Sequence, residues 1–303
     1  MALQITSFEG NKVIFHDDSF KSIVERFPNI STLPCVTISI CGNYRSGKSL
    51  QMSIYVRYFE HLERHRGNHQ AAIEAMKGDK RPLTEFKSRA GADPITSGVS
   101  IWGRPFKIER NDGTMVAVYL IDSEGTGGVK NTSTSLQALN ETGQKDIRNL
   151  MLTSLISSVS LYNVKGQIQS TDLSVIEEFS KYLKILGHYN NSERTGECIG
   201  RKPLQALVFL KRDFTEFEMP ELSENDFVDG SLNQNFSTTI DSFGFNPGRK
   251  CFEKKNFSEL LDALVEKVDY FAVPEPSEFA KDKKQYNNRL QIRSEFSFTI
   301  SPL

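Results

Sequence analysis

The tightest constraint in this chain is a β-branched, apolar run, Cys35 to Ile40 (CVTISI), introduced by Pro34 and running through Cys41 into Gly42-Asn43-Tyr44-Arg45-Ser46-Gly47-Lys48-Ser49. The octet fits GxxxxGK[S/T]. Beyond it, Met52, Val56, Phe59 and Leu62 recur at helical spacing up to a polar stretch ending at Gly67. A buried parallel strand feeding a glycine loop feeding a helix is the setting in which backbone amides at a helix start cradle phosphates. The lysine then neutralises charge and the serine hydroxyl ligates magnesium. Asn43, Tyr44, Arg45, Ser46, Gly47, Lys48, Ser49 and Leu50 are the expected nucleotide-contacting stretch.

The rest of the composition narrows the setting. Among 303 residues, 37 Lys and Arg balance 38 Asp and Glu, so no global charge draws the chain to nucleic acid or an anionic membrane. Cys35, Cys41, Cys198 and Cys251 form no CxxC pair and suggest neither a zinc site nor a disulfide framework, and Cys35 and Cys41, which bracket the apolar run, read as buried thiols in a reducing compartment. No apolar run approaches the roughly 20 residues that cross a bilayer, and no leader pattern opens the chain. A soluble chain without a membrane span is expected.

Periodicity predicts alternating strands and helices. Ala2 to Ile5 and Lys12 to Phe15 read as a hairpin turning through Phe8 to Asn11 about Gly10. Strands are expected at Met115 to Ile121, Val159 to Val164, Leu204 to Leu210 and Tyr270 to Val273. Helical spacing is read at Leu173, Ile176, Phe179 and Leu183, and again at Leu260, Leu261, Leu264, Val265 and Val268. The alternation argues for an α/β fold with a doubly wound, mostly parallel sheet, whose ligands lie beyond the carboxyl ends of the strands. Arg64 to Ala92 and Phe214 to Asn256 read as long polar excursions.

Three further elements fit a nucleotide site. Asp122-Ser123-Glu124-Gly125 follows an apolar strand and supplies DxxG, an acid that holds magnesium through water and a Gly125 amide for the γ-phosphate. Thr96 precedes another strand, where its hydroxyl can reach magnesium and its carbonyl the attacking water; an ordinary turn threonine is the competing reading. Arg212 and Asp213 follow LQALVFL. A carboxylate there accepts paired hydrogen bonds from guanine donors that adenine lacks, so it selects the base. Small GTPases carry Asn-Lys-x-Asp at this strand end, and the shorter Arg-Asp stands here.

That exchange, with an arginine inside the phosphate loop, carries a resemblance to the atlastins and, more distantly, the guanylate-binding proteins of the dynamin superfamily. The matching stretches are GNYRSGKS, PLTEFKSRAGADPITSGVSIW, VAVYLIDSEGT, SSVSLYNV and KPLQALVFLKRDF. The resemblance implies a large-GTPase fold with an N-terminal β-hairpin. Residues 1–33 would form the hairpin and lead-in, 34–285 the GTPase domain, and 286–303 a linker toward a helical middle domain. It makes Lys48 a phosphate ligand, and Ser49, Thr96 and Asp122 the Mg2+ set. Arg212 and Asp213 become guanine readers, and Arg45 becomes an internal arginine finger, a device worth order 10³ in rate. Glu124, where atlastins have glutamine and guanylate-binding proteins glutamate, is read as ordering the attacking water or as a solvated turn residue. Ala280 and Lys283 fall where the family caps the base. Asp93, Pro94 and Ile95 depart from the polar residues usual before the switch threonine.

The expected activity is therefore GTP hydrolysis to GDP and phosphate with Mg2+. The resemblance adds nucleotide-dependent dimerisation with itself or a related GTPase domain, on the cytoplasmic face of the endoplasmic reticulum, where atlastins tether and fuse membranes. The sequence ends at Leu303 in the first linker region, as a fragment or as a GTPase head alone, the latter otherwise cytosolic. Two rivals stay open: a GTP-binding regulator that hydrolyses slowly and pairs with full-length relatives, and an ATP-using phosphate-loop enzyme.

Overall fold

The computed structural model describes residues 1–9, 12–43, 46–86, 98–110, 112–123, 125, 147–165, 179, 204–214 and 265–274, the last two segments mainly by their main chain. They divide between two compact units. One takes Met1–Ile40 and Gly47–Glu124, the other Cys41–Ser46 and Gly125–Pro274.

In the first unit, β1 (Ala2–Glu9) pairs antiparallel with β2 (Lys12–Phe15) and with β4 (Val99–Trp102). The hairpin is tighter than the sequence suggests. Phe8 pairs with Val13 and Glu9 with Lys12, so both belong to β1, not to the turn. Cross-strand pairing overrides the turn signal because each added pair satisfies a main-chain group. β6 (Met115–Ser123) receives β4 and β5 (Phe106–Glu109) antiparallel, and β3 (Cys35–Gly42) parallel along Cys35 to Ile40. Every residue of β6 after Met115 is buried, as a continuous apolar strand requires. Cys35, at the mouth of β3, is exposed where a buried thiol was expected, whereas Cys41 is buried. An opening strand residue has fewer neighbours to cover it.

α1 (Asp17–Arg26) and α2 (Pro28–Ser31) follow the hairpin. α3 (Lys48–Arg64) buries Met52, Val56, Phe59 and Leu62, the stripe its spacing predicts, each worth about 1.5–3 kcal/mol of burial. Phe59 stacks on Phe106 at 5.7 Å between centroids, which seats the helix on β5. α3 ends where Gly67, at φ +78°, donates its N–H to the Leu62 carbonyl. The supposed polar excursion after Arg64 contains α4 (His69–Lys77), capped by Asn68 Oδ1 accepting from the Ala71 amide.

In the second unit, β7 (Val159–Lys165), β8 (Leu204–Phe214) and β9 (Val265–Pro274) are parallel. Val265 and Val268, read as helical from their spacing, belong to β9, opposite Leu204 and Leu207. Pairing along β8 decides the conformation that a short apolar period leaves ambiguous. Phe179 is buried; Leu173, Ile176, Leu183, Leu260, Leu261 and Leu264 lie outside the described residues. The architecture is mixed α/β and mostly parallel.

Candidate functional site

The second half of the glycine loop belongs to the first unit. Gly47 takes φ +78°, ψ +25°, a left-handed conformation that favours glycine, and α3 starts at Lys48 with no side-chain cap and no acid in its first turn. A helix start built this way suits an anion. Lys48 is 6% exposed. Ser49 Oγ donates to Asp122 Oδ2 at 2.6 Å, and Leu50 completes the turn, half-buried. Asp122, 1% exposed, stands one residue from the end of β6, in register with Ile40 of β3 and Ser100 of β4. Its neighbour Ser123 donates from Oγ to the Ile40 carbonyl at 2.7 Å, which ties the two parallel strand ends together.

Behind Ser49 lies a polar scaffold the sequence did not announce. Ser53 Oγ donates to the Ser49 carbonyl at 2.9 Å and accepts from the Phe86 amide at 3.0 Å. Arg57, buried on the same helix, donates to Glu85 Oε1 at 2.8 Å and to the carbonyls of Arg81 and Pro82. Asp79 lies 3.8 Å from Arg57 and takes hydrogen bonds from Arg81 and His61. The Arg81 guanidinium, chiefly, holds the Asp79 carboxyl well below its ordinary value, against the opposing effect of burial. The residue types are unremarkable in sequence; a lone arginine on the apolar face of a helix was the available signal.

The loop's first half belongs to the second unit. Gly42, at φ +126°, lies so close to β7 that a Cβ there would stand 2.3 Å from the Asn163 carbonyl oxygen. Ser46 Oγ donates to the Asn43 carbonyl at 2.7 Å. Asn163 Nδ2 donates to the Ser46 carbonyl at 2.7 Å and to Ser46 Oγ at 3.0 Å. Arg212 of β8 pairs with Lys165 and with Val273, and the register shifts before Phe214 meets Pro274, so Asp213 occupies an irregularity at the strand's carboxyl end. Gly125 is half-buried.

The structure thus brings Ser49 and Asp122 together, and separately Asn43 and Ser46. Tyr44, Arg45, Thr96, Glu124, Ala280 and Lys283 lie outside the described residues. Among the described residues no cluster of three or more His, Cys, Asp and Glu forms a metal cage, and no helix is long and apolar enough to cross a membrane.

Comparison with known proteins gives a consistent answer. The family model described as guanylate-binding protein, N-terminal domain, matches residues 13–299. Atlastin-1 of Bos taurus is 26% identical over 265 residues, 86% of this chain and 40% of that protein. Atlastin-3 of Homo sapiens is 32% identical over 189 residues, and Atlastin-2 of the same species 31% over 188, each covering 62% of this chain. The chain spans 27 to 40% of the length of these relatives.

Proposed function

The chain belongs to the guanylate-binding protein N-terminal domain family, as an atlastin-like GTPase domain, and from that premise we propose that it hydrolyses GTP to GDP and phosphate in a magnesium-dependent reaction on a doubly wound phosphate-loop fold. We assign the hairpin and lead-in to 1–33, the GTPase domain to 34–285, and the linker to 286–303.

The observation that carries the reading is the 2.6 Å contact between the Ser49 hydroxyl and the Asp122 carboxylate. The hydroxyl that closes the loop motif and the acid that opens DxxG come from residues 73 apart in sequence. Hydroxyl and carboxylate oxygens are what a hard divalent cation takes, and the pair fits magnesium in chemical kind. Ser49, Asp122 and Thr96 would hold it. Magnesium, when bound, would neutralise charge on the phosphate oxygens.

The chain's own groups do the remaining work. Lys48 and the amides of the α3 start bind the phosphates. Thr96 orients the attacking water, with Glu124 relaying to it, and Arg45 donates to oxygens whose charge grows in the transition state. Arg212 and Asp213 read guanine, and Ala280 and Lys283 border the base and ribose. Nucleotide-dependent pairing with a second GTPase domain, and a role in tethering or fusing endoplasmic reticulum membranes, follow from the atlastin likeness as proposals for the longer protein.

Single-turnover assays with GTP and ATP, with and without chelator, test the reading. GTP should be consumed, ATP spared, and chelation should stop turnover. GTP bound yet consumed no faster than in buffer would replace the hydrolase with a regulatory module, and equal displacement by ATP would sink guanine selection. Sizing with GDP, a GTP analogue and a transition-state mimic should give dimer with the latter two only.

A further inference from the structure

We propose that Asn163, a β7 residue outside every nucleotide motif, is the positioning residue that aims the phosphate loop's amides at the nucleotide phosphates; the proposal rests on the GTP-binding reading above. Asn163 is 0% exposed, in an apolar strand where Tyr162 and Val164 are also buried. A buried carboxamide costs several kcal/mol unless hydrogen-bonded, so its partners decide why a polar residue is kept there. Both partners of its Nδ2 are on one loop residue, the carbonyl and the hydroxyl of Ser46.

The consequence follows from peptide geometry. No peptide bond is cis among the described residues. In a trans peptide the C=O and the following N–H point in opposite directions. Holding the Ser46 carbonyl against Asn163 therefore turns the Gly47 N–H away from it. Gly47 in the left-handed region and Lys48 in the right-handed helix then place successive amides in the concave arrangement that binds anions. Ser46 Oγ extends the clamp by bonding the Asn43 carbonyl, so one carboxamide holds Ser46 and, through it, Asn43. The absence of a Cβ at Gly42 permits the close approach of the loop's base to Asn163 itself. Without the clamp the Ser46–Gly47 peptide can rotate, and the fraction of loop presenting its amides falls. Affinity falls in proportion.

The test compares GDP with guanosine on the full chain, because only GDP engages the loop. Asn163→Ala should weaken GDP by about tenfold to a hundredfold, the range for an orphaned buried acceptor. Guanosine affinity should hold, and kcat at saturating GTP should change only a few-fold. Asn163→Asp, which sets a carboxylate against the Ser46 carbonyl, should weaken GDP further. Asn163→Leu, nearly isosteric, serves if the smaller side chain fails to fold and should shift the GDP-to-guanosine ratio likewise. A wild-type ratio in folded Ala and Leu variants overturns the positioning role, whatever stability they lose. A wild-type chain that binds neither GDP nor GTP overturns the GTP reading first and is recognised before any variant is made.

Discussion

Asn43 and Ser46 in the first half of the glycine loop and residues 47–49 in the second are fastened by different chemistry. The first half is held by uncharged groups: the Asn163 carboxamide on Ser46, and the Ser46 hydroxyl on Asn43. The second half is held by a hydroxyl on a carboxylate, Ser49 on Asp122, with the Lys48 ammonium beside Ser49 in sequence. A neutral clamp has no reason to change when nucleotide arrives. A hydroxyl–carboxylate contact can be exchanged for a cation, since both oxygens prefer one. The difference separates shape from charge within eight residues.

Substitutions in each half break this division most directly, and the largest effect is expected in the second. Lys48→Ala removes the charge that offsets the phosphates, and GTP and GDP binding should fall beyond measurement by titration. Unchanged binding would mean that Gly42 to Ser49 is not a phosphate loop.

Next in size is Arg45→Ala, in the half otherwise given to shape. Under the proposed mechanism its guanidinium acts only as charge develops, so turnover should slow by order 10³ while GTP affinity stays nearly intact in equilibrium binding. Equal loss of affinity and of turnover would make Arg45 a ground-state ligand and return the first half to binding alone.

How much of this was legible beforehand differs between the same two regions. Strand, loop and α3 follow from Cys35 to Leu62 because there local pattern and packing agree: the β-branched run, the glycines and the Met52-Val56-Phe59-Leu62 stripe all point one way. The Ser49–Asp122 pairing was legible as two motifs, each at a strand or helix end. Asn163 was not, since an asparagine in VSLYNV reads as a flaw in a strand until its partner 117 residues away is seen. Arg57 was hidden likewise, its partners lying 24 to 28 residues off in a stretch that reads as polar loop. Val265 and Val268 misled because a short apolar run fits either period and only β8 could choose. In each case the missing information is long-range contact, which spacing along one chain does not contain.

The smallest effect sharpens the contrast between neutral and ionic fastening. Asp79 and His69 both lie in the first unit, around α3. Asp79 is ionised in the fold because Arg81, chiefly, holds its carboxyl well below 3.8. That stability is fully present above the ordinary value and drains as pH falls below it, since the unfolded chain takes up the proton first. Burial lowers His69 from 6.5, so the fold prefers its neutral ring, which meets the Tyr58 hydroxyl. Its contribution is complete above 6.5 and is likewise lost on acidification. Thermal midpoints should therefore fall in two steps as pH drops, one beginning near 6.5 and one near 4, each of roughly a few degrees. Asp79→Asn should start from a lower midpoint and shrink the lower step, and His69→Gln should abolish the upper. The Asn163 clamp has no proton to exchange in this range, so the Asn163→Ala variant should keep both steps. If it loses either one, the neutral and ionic fastenings are coupled, and the division between shape and charge fails at its base.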